Sequence, residues 1–167
     1  MPFINIQLSH ELPVKLQNQL AEGVTQIMKS TLGKKAELTA TTITTTNTDQ
    51  WFINSDRLAD INEYSAQVIA RISENTNTEE EKARAIEQLY NLLDTLCGPI
   101  SKTSYIMIDE VPMTDWGYGG RTQEHRRIKR AEDGSIDTEH YLQKGKAIRS
   151  KSAFSLLSKL INKSKFT

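Results

Sequence analysis

The feature that most constrains this chain is a pattern that occurs twice, 65 positions apart. Gly33, which follows one stretch with helical periodicity, corresponds to Gly98 after another, and Trp51 corresponds to Trp116. Two landmarks that share one offset without a gap indicate an internal duplication. Each copy has a strand pattern, then a helix pattern, then a second strand pattern. The sequence therefore predicts two tandem β-α-β units.

In the first copy, FINIQL has one strongly apolar face, which is typical of a strand. The next segment places apolar residues at three- and four-residue steps, as an amphipathic helix does, and Gly33 ends it. These apolar residues are Leu16, Leu20, Val24, Ile27, Met28 and Leu32. The β-branched stretch AELTATTITTTNT then predicts a second strand.

The second copy repeats this order with AQVIARIS and TSYIMIDEV as its strands. Thr78 and Glu81 form a capping-box pattern that predicts the start of the helix between them, and Gly98 ends that helix. Its predicted apolar stripe consists of Ile86, Leu89, Tyr90, Leu93 and Leu96. The single cysteine, Cys97, lies on the apolar side and is predicted to be a core thiol.

The two units predict an α+β fold with a four-stranded sheet and both helices on one face. Each helix has the length of a crossover, so the strands of one unit should be parallel. Four isoleucines are candidates for either face of the sheet: Ile4, Ile6, Ile106 and Ile108. A sheet face that is apolar and uncovered would favour oligomerisation.

The predicted boundaries are 1–62 for the first unit, 63–127 for the second, and 128–167 for a basic extension. Residues 1–125 carry 10 Lys/Arg and 17 Asp/Glu, whereas residues 126–167 carry 11 and 4. The extension shows a basic helical pattern whose apolar residues are Phe154, Leu157, Leu160 and Ile161. Opposite charge favours docking of this tail on the acidic body or on a neighbour. Membrane contact is the weaker alternative, and no nucleic acid is expected.

The start of the chain lacks the basic and long apolar blocks of a secretory signal. No apolar run reaches the roughly 18–20 residues that a membrane span needs. A cytoplasmic location is therefore expected.

The segment DEVPMTDWGYGGRTQEHRR, after two β-α-β units of which the first begins at Met1–Pro2, resembles the tautomerase superfamily. More narrowly, residues 2–127 resemble the fused, two-unit proteins related to 4-oxalocrotonate tautomerase. The resemblance implies a homotrimer whose glycine-rich hairpin packs on an adjacent unit near the active-site proline. In that hairpin, Gly117, Gly119 and Gly120 would permit positive φ angles and close backbone approach. Trp116 and Tyr118 would be buried at a subunit contact.

The resemblance also implies a catalytic residue, Pro2, exposed as the amino terminus by removal of Met1. An α-amino group titrates near pH 7.7–8.0, and apolar surroundings lower the pKa further, so the amine becomes an effective general base. The implied reaction is cofactor-independent keto–enol tautomerisation of a small carbonyl compound, such as a 2-oxo acid or its enol. The offset of 65 places Gln67 at the equivalent position of the second unit, where a mid-chain amide nitrogen has no basicity.

The sequence departs from the family at the two arginines that bind the dicarboxylate substrate of 4-oxalocrotonate tautomerase. Leu12 and Asn77 stand in the loops before the helices, and Ala40 and Tyr105 stand in the strands after them. The loop SENTNTEEE also lacks the arginines on which cis-3-chloroacrylic acid dehalogenase depends. Those two activities are therefore not expected.

Four residues are predicted to line the substrate pocket: Asn77, Tyr105, Trp116 and Arg121. Asn77 and Tyr105 would hydrogen-bond an enolate oxygen, more weakly than arginine would. Trp116 would form an aromatic wall, and Arg121 either points into a neighbour's pocket or is a solvated cation. The alternative function is a non-catalytic, oligomeric ligand-binding or interaction protein of the same fold. Without the arginines, this alternative remains open.

No metal or cofactor is predicted. His10, His125 and His140 are far apart in the sequence and lack the spacing of metal ligands. The glycines after Trp116 lead into no clear helix, so they do not form a phosphate-binding loop.

Overall fold

A computed structural model describes residues 1–61, 63–128, 136–139 and 142–143 of the 167-residue chain. The first unit contains four strands and two helices in the order expected from the sequence, with a short hairpin added at its end. They are β1 (Phe3–Leu8), α1 (Val14–Ser30), β2 (Ala40–Thr45), β3 (Phe52–Ile53), β4 (Asp56–Arg57) and α2 (Leu58–Ile61).

The second unit has the same order of elements. They are β5 (Ala66–Ser73), α3 (Glu79–Cys97), β6 (Tyr105–Val111), β7 (Gly117–Tyr118), β8 (Arg121–Thr122) and α4 (Gln123–Arg127). The predicted capping box is present at the start of α3, where the Thr78 hydroxyl accepts a hydrogen bond from the backbone N–H of Glu81. The Glu81 carboxylate accepts one from the N–H of Thr78 in return.

The four long strands form one sheet in the order β2-β1-β5-β6. Within each unit the strands are parallel, as the crossover helices require, and the two units meet through the antiparallel pair β1 and β5. In this pair Phe3 lies opposite Arg71, and Leu8 lies opposite Ala66. The predicted α+β fold, with a four-stranded sheet built from two β-α-β units, is confirmed.

The core lies between one face of the sheet and the two helices. Ile4 and Ile6 are buried in it, and Ile106 and Ile108 pack against it, so all four isoleucines belong to the helix side. On α3 the buried residues are Ala85, Leu89, Leu93 and Cys97. The predicted stripe was wrong at Ile86, which is exposed because it lies one position past the row that faces the sheet.

The other face of the sheet carries a row of polar contacts. The Asn5 amide donates to the Thr42 hydroxyl at 2.8 Å, and the Arg71 guanidinium donates to the Asn5 side-chain oxygen at 2.9 Å. Arg71 also pairs with Asp109 at 3.1 Å. Phe3, Ile69, Tyr105 and Met107 lie on the same face, and Tyr105 and Met107 are exposed. The uncovered face is therefore mixed, with apolar side chains between the polar contacts.

The duplication extends further than the two sequence landmarks indicated. The hairpin β3–β4 is the counterpart of β7–β8, with turn residues 65 positions apart. Asn54 and Ser55 have φ angles of 50° and 72°, and Gly119 and Gly120 have 53° and 72°. The first hairpin thus adopts the same turn without glycine.

The first strands of the two units are related by an offset of 64 rather than 65. Ile4 and Ile6 face the core in β1, and Val68 and Ala70 do so in β5. The same offset follows from the pairing of Phe3 with Ala40 and of Gln67 with Tyr105. The second unit therefore has one more residue between the start of its first strand and its helix, and β5 contains it. By this register the counterpart of Pro2 is Ala66, not Gln67, and its nitrogen is again a peptide nitrogen.

Contacts divide the chain into two compact units, Met1–Trp116 and Gly117–Thr167. The boundaries 1–62, 63–127 and 128–167 remain a prediction. The apolar residues of the predicted tail helix, 154–161, lie outside the described residues. In the part of the chain that the structure describes, no helix has the length and apolar character to cross a membrane.

Candidate active site

Pro2 lies at the start of β1, where the chain enters the sheet. Its side chain is among the fully buried ones, and its carbonyl oxygen accepts a hydrogen bond from the backbone N–H of Ala40 at 3.3 Å. Because β1 is a central strand, β2 and β5 flank this position on both sides. A nitrogen here is held by the sheet and shielded from water.

A lysine supplies the cation at this end of the sheet. Lys34 follows Gly33, whose φ angle of 63° reverses the chain after α1. The Lys34 ammonium donates to the Asn77 side-chain oxygen at 2.5 Å and to the Thr76 hydroxyl at 2.8 Å. Two acceptors on the second unit thus hold a cation from the first.

Burial and this cation act on the chain's amino terminus. In the chain that still carries Met1, burial first, and then Lys34 and Lys35, lower the pKa of the terminal amine below its ordinary value of 8.0. Burial also lowers the pKa of Lys34 itself, although Glu81 and Glu110 oppose that effect. A neighbouring positive charge disfavours a protonated amine, so this end of the sheet favours a neutral one.

Asn77, predicted to contact the substrate, lies at this end of the sheet with its amide fully engaged. Its nitrogen donates to the Leu32 carbonyl at 3.0 Å and to the Glu81 carboxylate at 2.9 Å, while its oxygen accepts from Lys34. The side chain therefore holds Lys34 in place. Whether Asn77 also binds substrate directly stays a prediction.

Trp116 follows β6 by five residues, at the end of the sheet where β6 runs past Ser73 of β5. Its indole nitrogen is buried and has no hydrogen-bond partner among the described residues. A buried donor without an acceptor costs about 1–3 kcal/mol. Trp116 is half-buried and has one unused donor, and its role as an aromatic wall of the pocket stays a prediction.

Tyr105 lies at the opposite end of the sheet of the same chain. It is paired with Gln67, which lies opposite Gln7, and Gln7 is five residues from Pro2 along β1. At 3.2–3.4 Å per residue, that separation is roughly 17 Å. Tyr105 can therefore contact a proline site only if that proline belongs to another chain, and its assignment to the pocket stays a prediction.

Arg121 lies in the second compact unit, where it begins β8. It lines a cavity of about 450 Å³ together with Tyr118, His125, Arg126 and Ile128. Arg126 stacks over the Tyr118 ring at 3.8 Å and donates to the Tyr118 carbonyl at 2.7 Å. The role of Arg121 in substrate binding stays a prediction.

The remaining reactive side chains give no second site. Burial raises the pKa of the Cys97 thiol to about 11, so it is not a thiolate near neutral pH. Within the described ranges, no group of three His, Cys, Asp or Glu side chains could hold a metal ion.

Sequence reasoning missed Lys34. The available signal was the lysine pair directly after the helix-ending Gly33. Its partners Thr76 and Asn77 are 42 and 43 positions away, and only the antiparallel joining of the two units brings them together.

The sequence was compared with protein families and with individual known proteins. No family model matches the chain. The protein called "Probable tautomerase K2" of Dickeya dadantii (strain 3937) is 34% identical over 61 residues, which are 36% of this chain and 91% of that protein. Nearly the whole relative therefore corresponds to about one of the two units.

Solved structures share the complete two-unit fold. Native fused 4-OT, where 4-OT is 4-oxalocrotonate tautomerase, has a TM-score of 0.66 at 20% identity over 73% of this chain and 96% of its own. The F6 fused 4-OT asymmetric trimer has 0.65 at 20%, with the same coverage. A macrophage migration inhibitory factor-like protein of Entamoeba histolytica has 0.61 at 19%, over 72% and 97%.

The relative's identity and length show the family, and the solved structures show the fold. The chain belongs to the tautomerase superfamily and has the fused, two-unit architecture of the 4-oxalocrotonate tautomerase type.

Proposed function

We propose that this protein is a cofactor-independent tautomerase that uses Pro2, freed by removal of Met1, as its general base. The observation that carries the proposal is the placement of Pro2. It is fully buried at the start of a central strand, and burial, followed by Lys34 and Lys35, lowers the pKa of the adjacent Met1 amine. After removal of Met1, the amine would belong to the buried residue itself and lose still more hydration.

The reaction follows from that amine. The neutral proline nitrogen takes a proton from the carbon next to a carbonyl group, which leaves an enolate, and the resulting ammonium returns a proton at another position of the conjugated system. In the reverse sense the same amine converts an enol into its ketone. No redox step is involved.

Lys34 gives the site its preference for an acid. Its ammonium acts on the Met1 amine, after burial as the larger cause, and would attract the carboxylate of a 2-oxo acid. Once Met1 is removed, the same charge would disfavour protonation of the proline nitrogen. Asn77 acts through Lys34, since the Asn77 amide already bonds Lys34, Leu32 and Glu81. The unused indole N–H of Trp116 could donate to the developing oxyanion.

A homotrimer is part of the proposal. The fused 4-OT structures to which this chain is similar include trimers. In a ring of chains that meet head to tail, the Tyr105 end of one sheet would approach the Pro2 end of the next. This arrangement would give Tyr105 the role predicted for it, although in its own chain it lies two strands from β1 and roughly 17 Å from Pro2 along the strand direction.

Ketonisation of phenylenolpyruvate tests the proposal with the wild type and Pro2→Ala. A positioned general base contributes about 10²- to 10⁴-fold, so kcat/KM should fall by that order in the variant. A third protein, with one residue inserted between Met1 and Pro2, should be equally impaired. Wild-type activity in either altered protein would exclude proline catalysis.

A second candidate function is supported by the lack of arginines at the family's substrate-binding positions. Leu12, Asn77, Ala40 and Tyr105 occupy these positions. A non-catalytic ligand-binding protein of the same fold would show no ketonisation above the uncatalysed rate, yet would still bind 2-oxo acids in a manner that depends on Lys34.

A further inference from the structure

We propose that His10 makes the joint between the two β-α-β units sensitive to acid, so that the joint weakens when the imidazole takes up a proton. His10 is the second residue after β1, in the loop that leads to α1. The joint consists of the hydrogen bonds that Ser9, Ser65 and Ser104 form where β1, β5 and β6 meet. This acid sensitivity concerns the stability of the fold and is independent of the proposed catalysis.

Three serines, each next to the end of a different strand, make this joint. The Ser9 N–H donates to the Ser65 carbonyl at 3.0 Å, and the Ser65 N–H donates to the Ser9 hydroxyl at 2.8 Å. The Ser104 hydroxyl accepts from the N–H of Ala66 at 3.1 Å and lies 3.2 Å from the Ser65 hydroxyl. Ser9 and Ser65 are buried, so their hydrogen bonds are shielded from water. Such an environment tolerates an unpaired charge poorly.

His10 is attached to both sides of the joint. It follows Ser9 directly in the chain, and its ring contacts that of Tyr64, which directly precedes Ser65. The two ring centroids are 4.0 Å apart, and the ring planes are inclined by 36°. The Nδ1 atom of His10 is buried and has no hydrogen-bond partner among the described residues. The imidazole thus links the same two segments as the serines, with one ring nitrogen unsatisfied.

A neutral imidazole fits this environment better than a protonated one. In the neutral ring Nδ1 can remain without a proton, whereas in the cation both ring nitrogens are donors. The Nδ1–H of the cation would be a buried donor without an acceptor, which is destabilising. In agreement, burial lowers the pKa of His10 below its ordinary value of 6.5, and the backbone of Cys97 opposes this effect less strongly.

The titratable groups near the end of α3 are either neutral or engaged. Burial raises the pKa of the Cys97 thiol to about 11, so Cys97 carries no charge near neutral pH. The Asp94 carboxylate accepts a hydrogen bond from the N–H of Ile100 at 3.1 Å. No ionised side chain is among the causes that shift the pKa of His10. Neither of these two residues of α3 therefore supplies a counter-charge to the ring.

The charged residues closest in sequence to the two rings, and in the loop before β6, are exposed. Glu11 follows His10, Glu63 precedes Tyr64, and Lys102 lies in that loop. An exposed carboxylate gains little from pairing with a cation, because water screens the interaction, and Lys102 would repel one. We therefore expect protonation of His10 to be unfavourable in the folded protein.

The direction of the effect follows from proton binding. Between pH 6.5 and the lower pKa of His10 in the folded protein, the unfolded chain binds more protons at this residue than the folded one does. The stability that the neutral ring supplies is therefore present above pH 6.5 and is lost as the pH falls through this window. The unfolding equilibrium constant should rise there by up to about tenfold per pH unit.

Urea denaturation of the full chain from about pH 8 to about pH 5, at one protein concentration, measures this dependence. His10→Gln keeps a polar side chain that does not titrate, so its unfolding constant should lack this rise below pH 6.5. Contributions from other titrating groups cancel in the comparison with the wild type. His125, which is exposed, provides the matched control, and His125→Gln should follow the wild type.

A second measurement does not require that His10→Gln folds. With isotope-labelled histidine, the Cε1–H NMR signal that persists in both His125→Gln and His140→Gln belongs to His10. Its titration midpoint in the folded protein should lie below 6.5. A midpoint at or above that value would overturn the proposal, because a carboxylate or a neighbouring chain would then stabilise the cation. Equal pH dependence of the wild type and His10→Gln would overturn it as well.

Discussion

At the scale of single residues, the account depends on a proline and a lysine that come from opposite ends of the first β-α-β unit. Pro2 begins β1, and Lys34 follows α1. In the chain that carries Met1, burial and then the Lys34 ammonium lower the pKa of the Met1 amine. If Pro2 is the base, as proposed, the same cation would help to keep it neutral.

The proposed effect of Lys34 on the pKa of the base predicts the direction in which the pH–rate profile shifts. The base works in its neutral form, so kcat/KM should rise with pH through the pKa of the amine. Lys34→Met removes the charge that disfavours the protonated amine, so the pKa rises and the acidic limb of the pH–rate profile moves to higher pH. KM for a 2-oxo acid should rise roughly tenfold or more, because a charge-assisted hydrogen bond is lost.

Lys34→Arg is the matched control, since it keeps the charge and should leave the acidic limb near its wild-type position. An unchanged profile in Lys34→Met would show that this lysine does not act on the catalytic base.

At the scale of elements, hydrogen bonds connect the loop that contains Asn77 to the first turn of α3. Thr78 and Glu81 close the capping box at the start of α3, and the same Glu81 carboxylate accepts a hydrogen bond from Asn77, which holds Lys34. Hydrogen bonds from Asn77 lower the pKa of Glu81, followed by those from the Thr78 backbone. The helix start therefore fixes the position of the cation.

Thr78→Ala should lower the free energy of unfolding by about 1 kcal/mol, the typical cost of losing such a cap. Urea denaturation measures it, and Thr78→Ser, which keeps the hydroxyl, should stay near the wild type. A fully stable Thr78→Ala protein would contradict the role assigned to the box.

Most of the secondary-structure elements could be predicted from the sequence, because each depends on a local residue pattern. The helices, the capping box and the turn glycines were predictable from spacing and from residue type. Gly119 and Gly120 have the expected positive φ angles, and a Cβ on Gly117 would come within 2.1 Å of the Arg121 carbonyl oxygen. The hairpin of the first unit was missed, because Asn54 and Ser55 make the same turn without glycine.

Other features could not be predicted, because they depend on how the two units meet. The registers within the two units make Ala66 the counterpart of Pro2, and the register between β1 and β5 places Tyr105 far from Pro2. The extra residue is in β5, and a comparison of the helices alone does not show it. The pairing of Lys34 with Asn77 likewise exists only across the joined units.

At the scale of the whole molecule, the two ends of the sheet differ. One end has a buried proline with cations near it, and the other has amides and aromatic side chains without ionised groups. The outer face of the sheet combines polar contacts, such as those of Asn5, with exposed apolar side chains, such as Met107, so an assembly could use both.

A homotrimer is the expected assembly, and native mass spectrometry or light scattering measures it directly. If Tyr105 serves the proline of a neighbour, a mixture of Pro2→Ala and Tyr105→Ala chains should recover activity when subunits exchange, because some sites then combine an intact Pro2 with an intact Tyr105. A monomer with full activity would contradict this assembly.

The central claim is that the nitrogen of Pro2 is a free secondary amine in the active protein. Intact-mass spectrometry of the protein purified from its natural host tests it most directly. The account predicts a chain that is lighter by one methionine residue than the full sequence and begins at Pro2. A mass that includes Met1 in catalytically active protein would contradict it, because the proline nitrogen would then be part of a peptide bond.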